Sequence, residues 1–274
     1  MPSSQIATNR NNTMKITLQQ SQKVYFVSDF HLGTPDDISS RKREDKIVKW
    51  LGEIEADAAA VFFVGDIFDF WFEYEKVIPK GFFRFFAKLT MMRSKGIPMF
   101  FFTGNHDLWM KDYFSDELGI PIFHHPQEIE INHKRFLVGH GDGFGPGDRK
   151  YKLLKKFFTS NLCKWMFKWL HPDIGIAIAQ AWSKNSRLSN ELKKEDEFKG
   201  KEQEWLFQYS RDIESKIHFD YYIFGHRHLP LNLPINDTSV YYNLGEWVNQ
   251  CYYGEFDGKG FQLKQYNGYA IKAN

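Results

Sequence analysis

The chain has 274 residues, 42% of them apolar and 26% charged, and its net charge is only +2. Such a chain can bury one large core with room for an insertion, and its overall charge excludes polyanion binding by bulk attraction. Its two cysteines, Cys163 and Cys251, make neither a zinc framework nor a disulfide scaffold and fit a reducing compartment.

No segment reaches the roughly 18 apolar residues that a membrane span needs. Aromatic residues reach 18%, with 27 Phe and 8 Trp, more than one core needs, which points to an apolar surface that meets a ligand, partner or lipid. Residues 1–22 are polar and rich in Asn, Gln and Ser, and predict a disordered tail rather than a signal peptide.

The first strand is predicted over 24–27, followed at once by Asp29 and His31. Strand side chains alternate faces, so these two can project together, a carboxylate beside an imidazole. A helix over 40–56, capped by Ser40, carries Ile47, Val48, Leu51 and Ile54 at helical spacing. The continuous apolar run 59–64 predicts a strand buried on both faces and ends in Gly65-Asp66. Pro79 opens the next predicted helix and Gly96 closes it. A third strand, 98–103, ends in Gly104-Asn105-His106-Asp107. Alternating strands and helices predict a parallel α/β sheet, whose ligands bind beyond the carboxyl ends of the strands. All three strand ends carry Asp, Asn or His.

The second half turns to hairpins. Strands over 128–131 and 135–138 flank Asn132-His133, and the second ends in Gly139-His140-Gly141-Asp142. From 149 to 201 strand patterns vanish, and lysine-rich aromatic helices are predicted over 151–158, 162–170 and 174–182. This window holds 13 Lys/Arg against 5 Asp/Glu, while the remainder is net acidic, and it reads as an inserted helical lid. A helix over 202–217 leads to a buried strand, 221–224, ending in Gly225-His226-Arg227-His228. Short strands over 231–235, 239–243, 252–256 and 261–266 close the chain. The division is therefore a tail (1–22), a core (23–148 and 202–274) and a lid (149–201).

Asp29, His31, Asp66, Asn105, His140, His226 and His228 are seven oxygen and nitrogen ligands with no thiolate. One zinc takes about three or four protein ligands, so seven argue for two ions, and the mixed set suits manganese, iron or zinc better than calcium. Asp66, on a central strand with no ligand neighbour at i+2, is the candidate shared carboxylate.

In order, Asp29-x-His31, Gly65-Asp66, Gly104-Asn105-His106-Asp107, Gly139-His140 and Gly225-His226-x-His228 resemble the five motifs of the calcineurin-like metallophosphoesterases. The resemblance implies a four-layer α/β/β/α sandwich with an inserted helical cap. It also implies Asp29, His31, Asp66 and His228 on one divalent ion and Asp66, Asn105, His140 and His226 on a second, with Mn2+ expected and Fe or Zn as alternatives. Two ions about 3.5–4 Å apart lower the pKa of a bridging water and clamp phosphate oxygens for in-line attack. His106 is expected to stabilise developing charge or protonate the leaving oxygen, with Asp107 holding its tautomer.

Within that superfamily the chain is similar to the UDP-2,3-diacylglucosamine diphosphatases of lipid A biosynthesis in Gram-negative bacteria. The likeness rests on Asp66-Ile67-Phe68-Asp69-Phe70-Trp71, on His140-Gly141-Asp142, on Asn243-Leu244-Gly245-Glu246-Trp247 and on the insertion before the fifth motif. The chain departs from that branch at His106, where many members carry Arg.

The resemblance implies hydrolysis of a lipid-linked nucleotide to lipid X and UMP. It implies a lid whose Trp165, Phe167, Trp169, Ile176, Ile178 and Trp182 hold acyl chains, and substrate contacts at Ser183, Lys184, Asn185, Lys193 and Lys194. The lid lysines would meet pyrophosphate or anionic headgroups, placing a cytoplasmic protein peripherally on the inner membrane with no nucleic-acid partner. The competing readings are a phosphoesterase for nucleotides, nucleic acids or phosphoproteins, and a non-catalytic metal-bearing scaffold.

Overall fold

A computed structural model describes residues 5–8, 13–145, 149–192 and 197–267. The first half runs β1 (Gln5–Thr8), β2 (Met14–Thr17), β3 (Lys23–Val27), α1 (Asp37–Ile54), β4 (Ala58–Val64), α2 (Phe83–Ser94), β5 (Met99–Phe102), α3 (Tyr113–Leu118) and β6 (Ile122–Phe123). It continues through β7 (Gln127–Ile131), β8 (Lys134–Val138), α4 (Arg149–Phe158), α5 (Asn161–Lys168), α6 (Pro172–Leu192) and α7 (Trp205–Glu214). The chain closes with β9 (Tyr221–Phe224), β10 (Pro230–Pro234), β11 (Val240–Leu244), β12 (Tyr252–Phe256) and β13 (Phe261–Gln265).

These strands form two sheets. One is ordered β13-β12-β3-β4-β5-β6, with β3 to β6 parallel; the other is ordered β1-β2-β7-β8-β9-β11-β10. Alternation along β3 and β4 splits their side chains between two cores. Val24, Phe26, Ala60 and Phe62 face the other sheet and pack with Phe136, Ile223 and Tyr242; Phe26 stacks on Phe62 at 5.1 Å and on Phe136 at 5.8 Å. Tyr25, Val27, Val61 and Phe63 face outward onto Trp50 and Leu51 of α1 and Phe85 and Leu89 of α2. A third cluster places Leu206 and Phe207 of α7 on Tyr222 and Tyr241. Helix, sheet, sheet and helix make the four-layer α/β/β/α sandwich.

Several expectations need correction. The expected disordered tail carries two strands: β1 and β2 form a hairpin whose Met14, Lys15 and Ile16 pair in parallel with β7, and Ile16 is buried. Ser40 does not cap α1. Asp36 does, its Oδ1 accepting the Ser39 N–H at 2.8 Å, while the Ser40 hydroxyl accepts from Gly33 N at 2.7 Å and steadies the loop after His31. The second helix opens at Phe83 rather than Pro79, because Gly81 (φ 107°) and Phe82 (φ 59°) hold left-handed backbone. The short α3 and β6 lie outside the predicted elements.

The two ends of the helical insertion meet. A side chain on Gly145 would collide with the Trp205 carbonyl at 2.5 Å, and Gly145 adopts φ 75° to permit that approach. Behind this junction, the end of α7 is tied down by Glu214, which accepts from Phe219 N (3.0 Å), the Tyr222 hydroxyl (2.7 Å) and the Ser239 hydroxyl (2.9 Å). Burial raises this carboxyl, but bonds from His218, Phe219, Tyr222 and Ser239 outweigh it and hold it at about 2. A depressed carboxylate stabilises the fold above its ordinary value of 4.5 and ceases to do so as pH falls toward about 2. Glu214→Gln is therefore expected to lower the urea midpoint at pH 7 and leave it unchanged at pH 2. An equal loss at both pH values would contradict the assignment.

Candidate metal centre

Each motif emerges where a strand stops, and the backbone there is unusual. Asp29 (φ 56°), His31 (φ 46°), Asp66 (φ 51°), His226 (φ 70°) and His228 (φ 54°) all occupy left-handed conformations. Non-glycine residues rarely accept this, and clusters of such strain mark functional sites. The turns re-aim consecutive residues: Phe30 drops into the outer core beside Trp247 (5.2 Å) and Phe63 (6.1 Å), while its two neighbours face the centre. Arg43 of α1 locks this loop by donating to the carbonyls of His31 (2.6 Å) and Thr34 (2.5 Å).

Three groups that could hold a metal ion result, Asp29/His31/His228, Asp66/His140/His226 and, sharing His31 with the first, His31/Asp69/His106. In the first, the Nε2 atoms of His31 and His228 lie 3.1 Å apart, with Asp29 Oδ1 3.2 Å from the latter. In the second, His140 Nε2 lies 3.3 Å from Asp66 Oδ2. His31 Nε2 is 4.0 Å from that same Asp66 oxygen, so one carboxylate stands between the triads. Asn105 has its Oδ1 buried.

The chemistry of this set fits divalent ions. Four buried polar atoms here have no hydrogen-bond partner among the described residues: Asp29 Oδ1, His31 Nδ1, Asn105 Oδ1 and His140 Nε2. Leaving such groups unsatisfied costs about 1–3 kcal/mol each, so their concentration at one point calls for a cation. His140 donates from Nδ1 to the Val64 carbonyl at 2.8 Å, which turns Nε2 toward Asp66, where the ring would offer it to a cation once the proton there is displaced. Glycines keep the space open. A side chain on Gly104 would reach to 2.7 Å of His140 Nε2, and one on Gly225 to 2.6 Å of Asp29 Oδ2.

Electrostatics agree. Burial lowers the His31 imidazole, yet the carboxylates of Asp29, Asp69 and Asp66 raise it to about 10; His140 is also lowered by burial and raised by Asp66 to about 10. His226, buried and facing the His140 charge, falls to about 4. Asp29 and Asp66 resist their own burial and stay ionised through the surrounding histidines.

The structure corrects the partner of His106. Asp107 does not touch the His106 ring. Its carboxylate accepts from the backbone N–H of Gly104 (2.7 Å), Asp66 (3.3 Å), Ile67 (2.8 Å) and Phe68 (3.4 Å), and so knits two motif loops together. Consecutive residues in a tight turn point apart, which sequence adjacency conceals. Burial and the neighbouring Asp66 charge push the Asp107 carboxyl up to about 7. Asp107→Ala would strand these donors and is expected to cost about 3 kcal/mol or more, read as a lowered denaturation midpoint. An unchanged midpoint would show that water replaces the carboxylate.

His106 turns instead to Asp69. Its Nδ1 donates to the Asp69 carbonyl at 2.9 Å, and Asp69 Oδ1 lies 3.6 Å from both His106 Nδ1 and His31 Nδ1. In Asp66-Ile67-Phe68-Asp69-Phe70-Trp71, the spacing of three from Asp66 is the sequence signal for Asp69. Of the expected substrate contacts, Ser183 of α6 is buried at this point, donating to Asp69 Oδ1 at 3.0 Å and lying 3.2 Å from His106 Nδ1. Lys184 and Asn185 follow it in α6, but their side chains, and the whole of Lys193 and Lys194, lie outside the described residues.

The insertion seats on the core through aromatic rings. Phe167 of α5 packs on Phe72 (4.7 Å) and Trp109 (4.8 Å), and Trp182 of α6 on Phe158 (5.3 Å). Trp165 and Trp169 remain 59% and 75% exposed, and no helix among the described residues is long and apolar enough to cross a membrane.

A four-layer sandwich with carboxylate and imidazole clusters at converging strand ends is the architecture of a metal-dependent phosphoesterase. The chain belongs to the calcineurin-like phosphoesterase family, whose model matches residues 22–230, and it is accordingly a hydrolase. It is 34% identical to the UDP-2,3-diacylglucosamine hydrolase of Porphyromonas gingivalis over 253 residues, covering 88% of this chain and 97% of that protein. It is 27% identical to the enzyme of the same name from Photorhabdus laumondii, covering 82% and 91%. Among solved structures, Vacuolar Protein Sorting 29 from Cryptosporidium parvum shares 11% identity at a TM-score of 0.41, covering 90% of this chain and 99% of that one; so loose a likeness carries no functional weight.

Proposed function

We propose that the protein hydrolyses the pyrophosphate of UDP-2,3-diacylglucosamine to lipid X and UMP. The observation that carries this reading is an aromatic, lysine-rich insertion seated over a phosphoesterase centre. A phosphoester lacking lipid has no use for that much exposed apolar surface.

In this reading Asp29, His31, Asp66 and His228 hold one divalent ion, and Asp66, Asn105, His140 and His226 hold the other, with Mn2+ as the expected metal. When bound, the ions supply positive charge to the phosphate oxygens and acidify the attacking water. The remaining work falls to the chain. His106, with Nδ1–H committed to the Asp69 carbonyl, keeps Nε2 for the departing phosphate oxygen. Ser183 brings α6 to the same point, and Lys184, Asn185, Lys193 and Lys194 belong to the segment that would meet the sugar and pyrophosphate. Exposed Trp165 and Trp169, interleaved with Lys164 and Lys168, suit a peripheral contact with the cytoplasmic face of the inner membrane.

The test is hydrolysis by the Mn2+-loaded protein of UDP-2,3-diacylglucosamine in detergent micelles, beside a nucleotide diester and single-stranded DNA. UMP release from the lipid alone is expected. Turnover of either other substrate without UMP release would sink the assignment.

A further inference from the structure

A cleft of about 810 Å³ opens between α1, the 78–84 segment and α6, and one of its lining residues is Asp69. This is within the rough range of small-molecule sites, about 300–1,000 Å³. It reaches the metal centre, because Asp69 also stands 3.6 Å from His31 Nδ1. Helix α6 forms one wall through Asp173, Ile176 and Gln180, and Ser183, on Asp69, continues the same helical face.

The opposite face of α6 differs in chemistry. There Gly175 lies close against the Tyr74 hydroxyl and the Phe167 ring, and Trp182 packs on Phe158. One helix thus separates an aromatic wall from a cleft with a charged rim. The proposed substrate has the same division, with acyl chains on one side of the reacting bond and a nucleotide on the other.

We propose that this cleft binds the nucleotide half, a pyrimidine nucleoside 5′-phosphate. The proposal rests on the function proposed above. Arg41 and Lys80, both exposed in the lining, have no ion pair among the described residues and are placed to take a phosphate, whereas Arg84 is already held by Glu44 (3.6 Å) and Asp45 (3.3 Å). Phe83, 79% exposed at the rim, offers a ring on which a base can stack. The carboxylates of Asp37 and Asp173 can accept from ribose hydroxyls, and the Gln180 amide has both a donor and an acceptor for a base edge.

Titration calorimetry of UMP into the Mn2+-loaded full-length protein tests this, with metal content as a control. The double change Arg41→Ala with Lys80→Ala, and separately Phe83→Ala, is expected to weaken UMP about tenfold each at unchanged metal content. Ala177→Trp, which fills the cleft from α6, is expected to abolish UMP binding while leaving lipid X binding in detergent intact. Wild-type affinity in all of these variants, or UMP binding no tighter than inorganic phosphate, would overturn the assignment even if the lipid substrate is cleaved. Failure to cleave that lipid, with UMP binding still lost in the variants, would refute the substrate and retain the cleft.

Discussion

Gly104→Ala is expected to strip the metal from the Asp66/His140/His226 cluster and reduce phosphoester hydrolysis by about 10³-fold, the equivalent of about 4 kcal/mol of lost charge stabilisation. The added methyl would sit 2.7 Å from His140 Nε2 and 2.8 Å from Asp66 Cγ. Neither neighbour can retreat. His140 Nδ1 is bonded to the Val64 carbonyl at 2.8 Å, and Asp66 Oδ1 accepts the His106 N–H at 2.8 Å. Because the backbone of Gly104 is not in the left-handed region, no backbone strain adds to this local clash, and the chain should still fold, with a lowered denaturation midpoint. Elemental analysis showing full metal occupancy with wild-type turnover would refute this account of the glycine.

His106→Ala carries the second large effect, with a different signature. The imidazole lies against Asp69 and Ser183, outside the Asp29/His31/His228 and Asp66/His140/His226 groups, so under the ligand assignment proposed above the metal would remain, whereas a metal held by His31, Asp69 and His106 would be lost. Loss of a positioned acid or base should nevertheless lower kcat by about 10²–10⁴-fold. Metal content separates the roles: a fall in bound metal parallel to the fall in kcat would make His106 a ligand.

The parts of this centre legible in the sequence were those written as strand followed by polar residue. Apolar runs 24–27, 59–64 and 221–224 could only be buried strands, and a carboxylate or histidine directly after each had to lie at the same edge of the sandwich. What stayed hidden was direction. Asp107 and His106 are adjacent, yet one faces four backbone donors and the other Asp69, because the turn between them rotates successive side chains. Asp69 was invisible as a partner of His31 and His106 because that proximity is made by loops from three strands. The strand β2 is hidden for a related reason: Ile16 is the one buried residue among the described residues of a polar stretch, and its strand is completed by pairing with β1 and with the edge that β7 offers.

The contact between Gly145 and Trp205 also bears on how such proteins diverge. A segment whose two ends touch closes its loop on the core at nearly constant entropic cost, whatever its length or sequence. The helical insertion is in that sense a cassette. It can be shortened, lengthened or exchanged for another without stretching the sheets that carry the metal ligands. Restraints remain where the insertion touches the centre: Ser183 donates to Asp69 at 3.0 Å, and Glu204 at the exit pairs with Arg227, between His226 and His228, at 3.1 Å. A transplanted cassette should keep Glu204, or the fifth motif will shift with the graft.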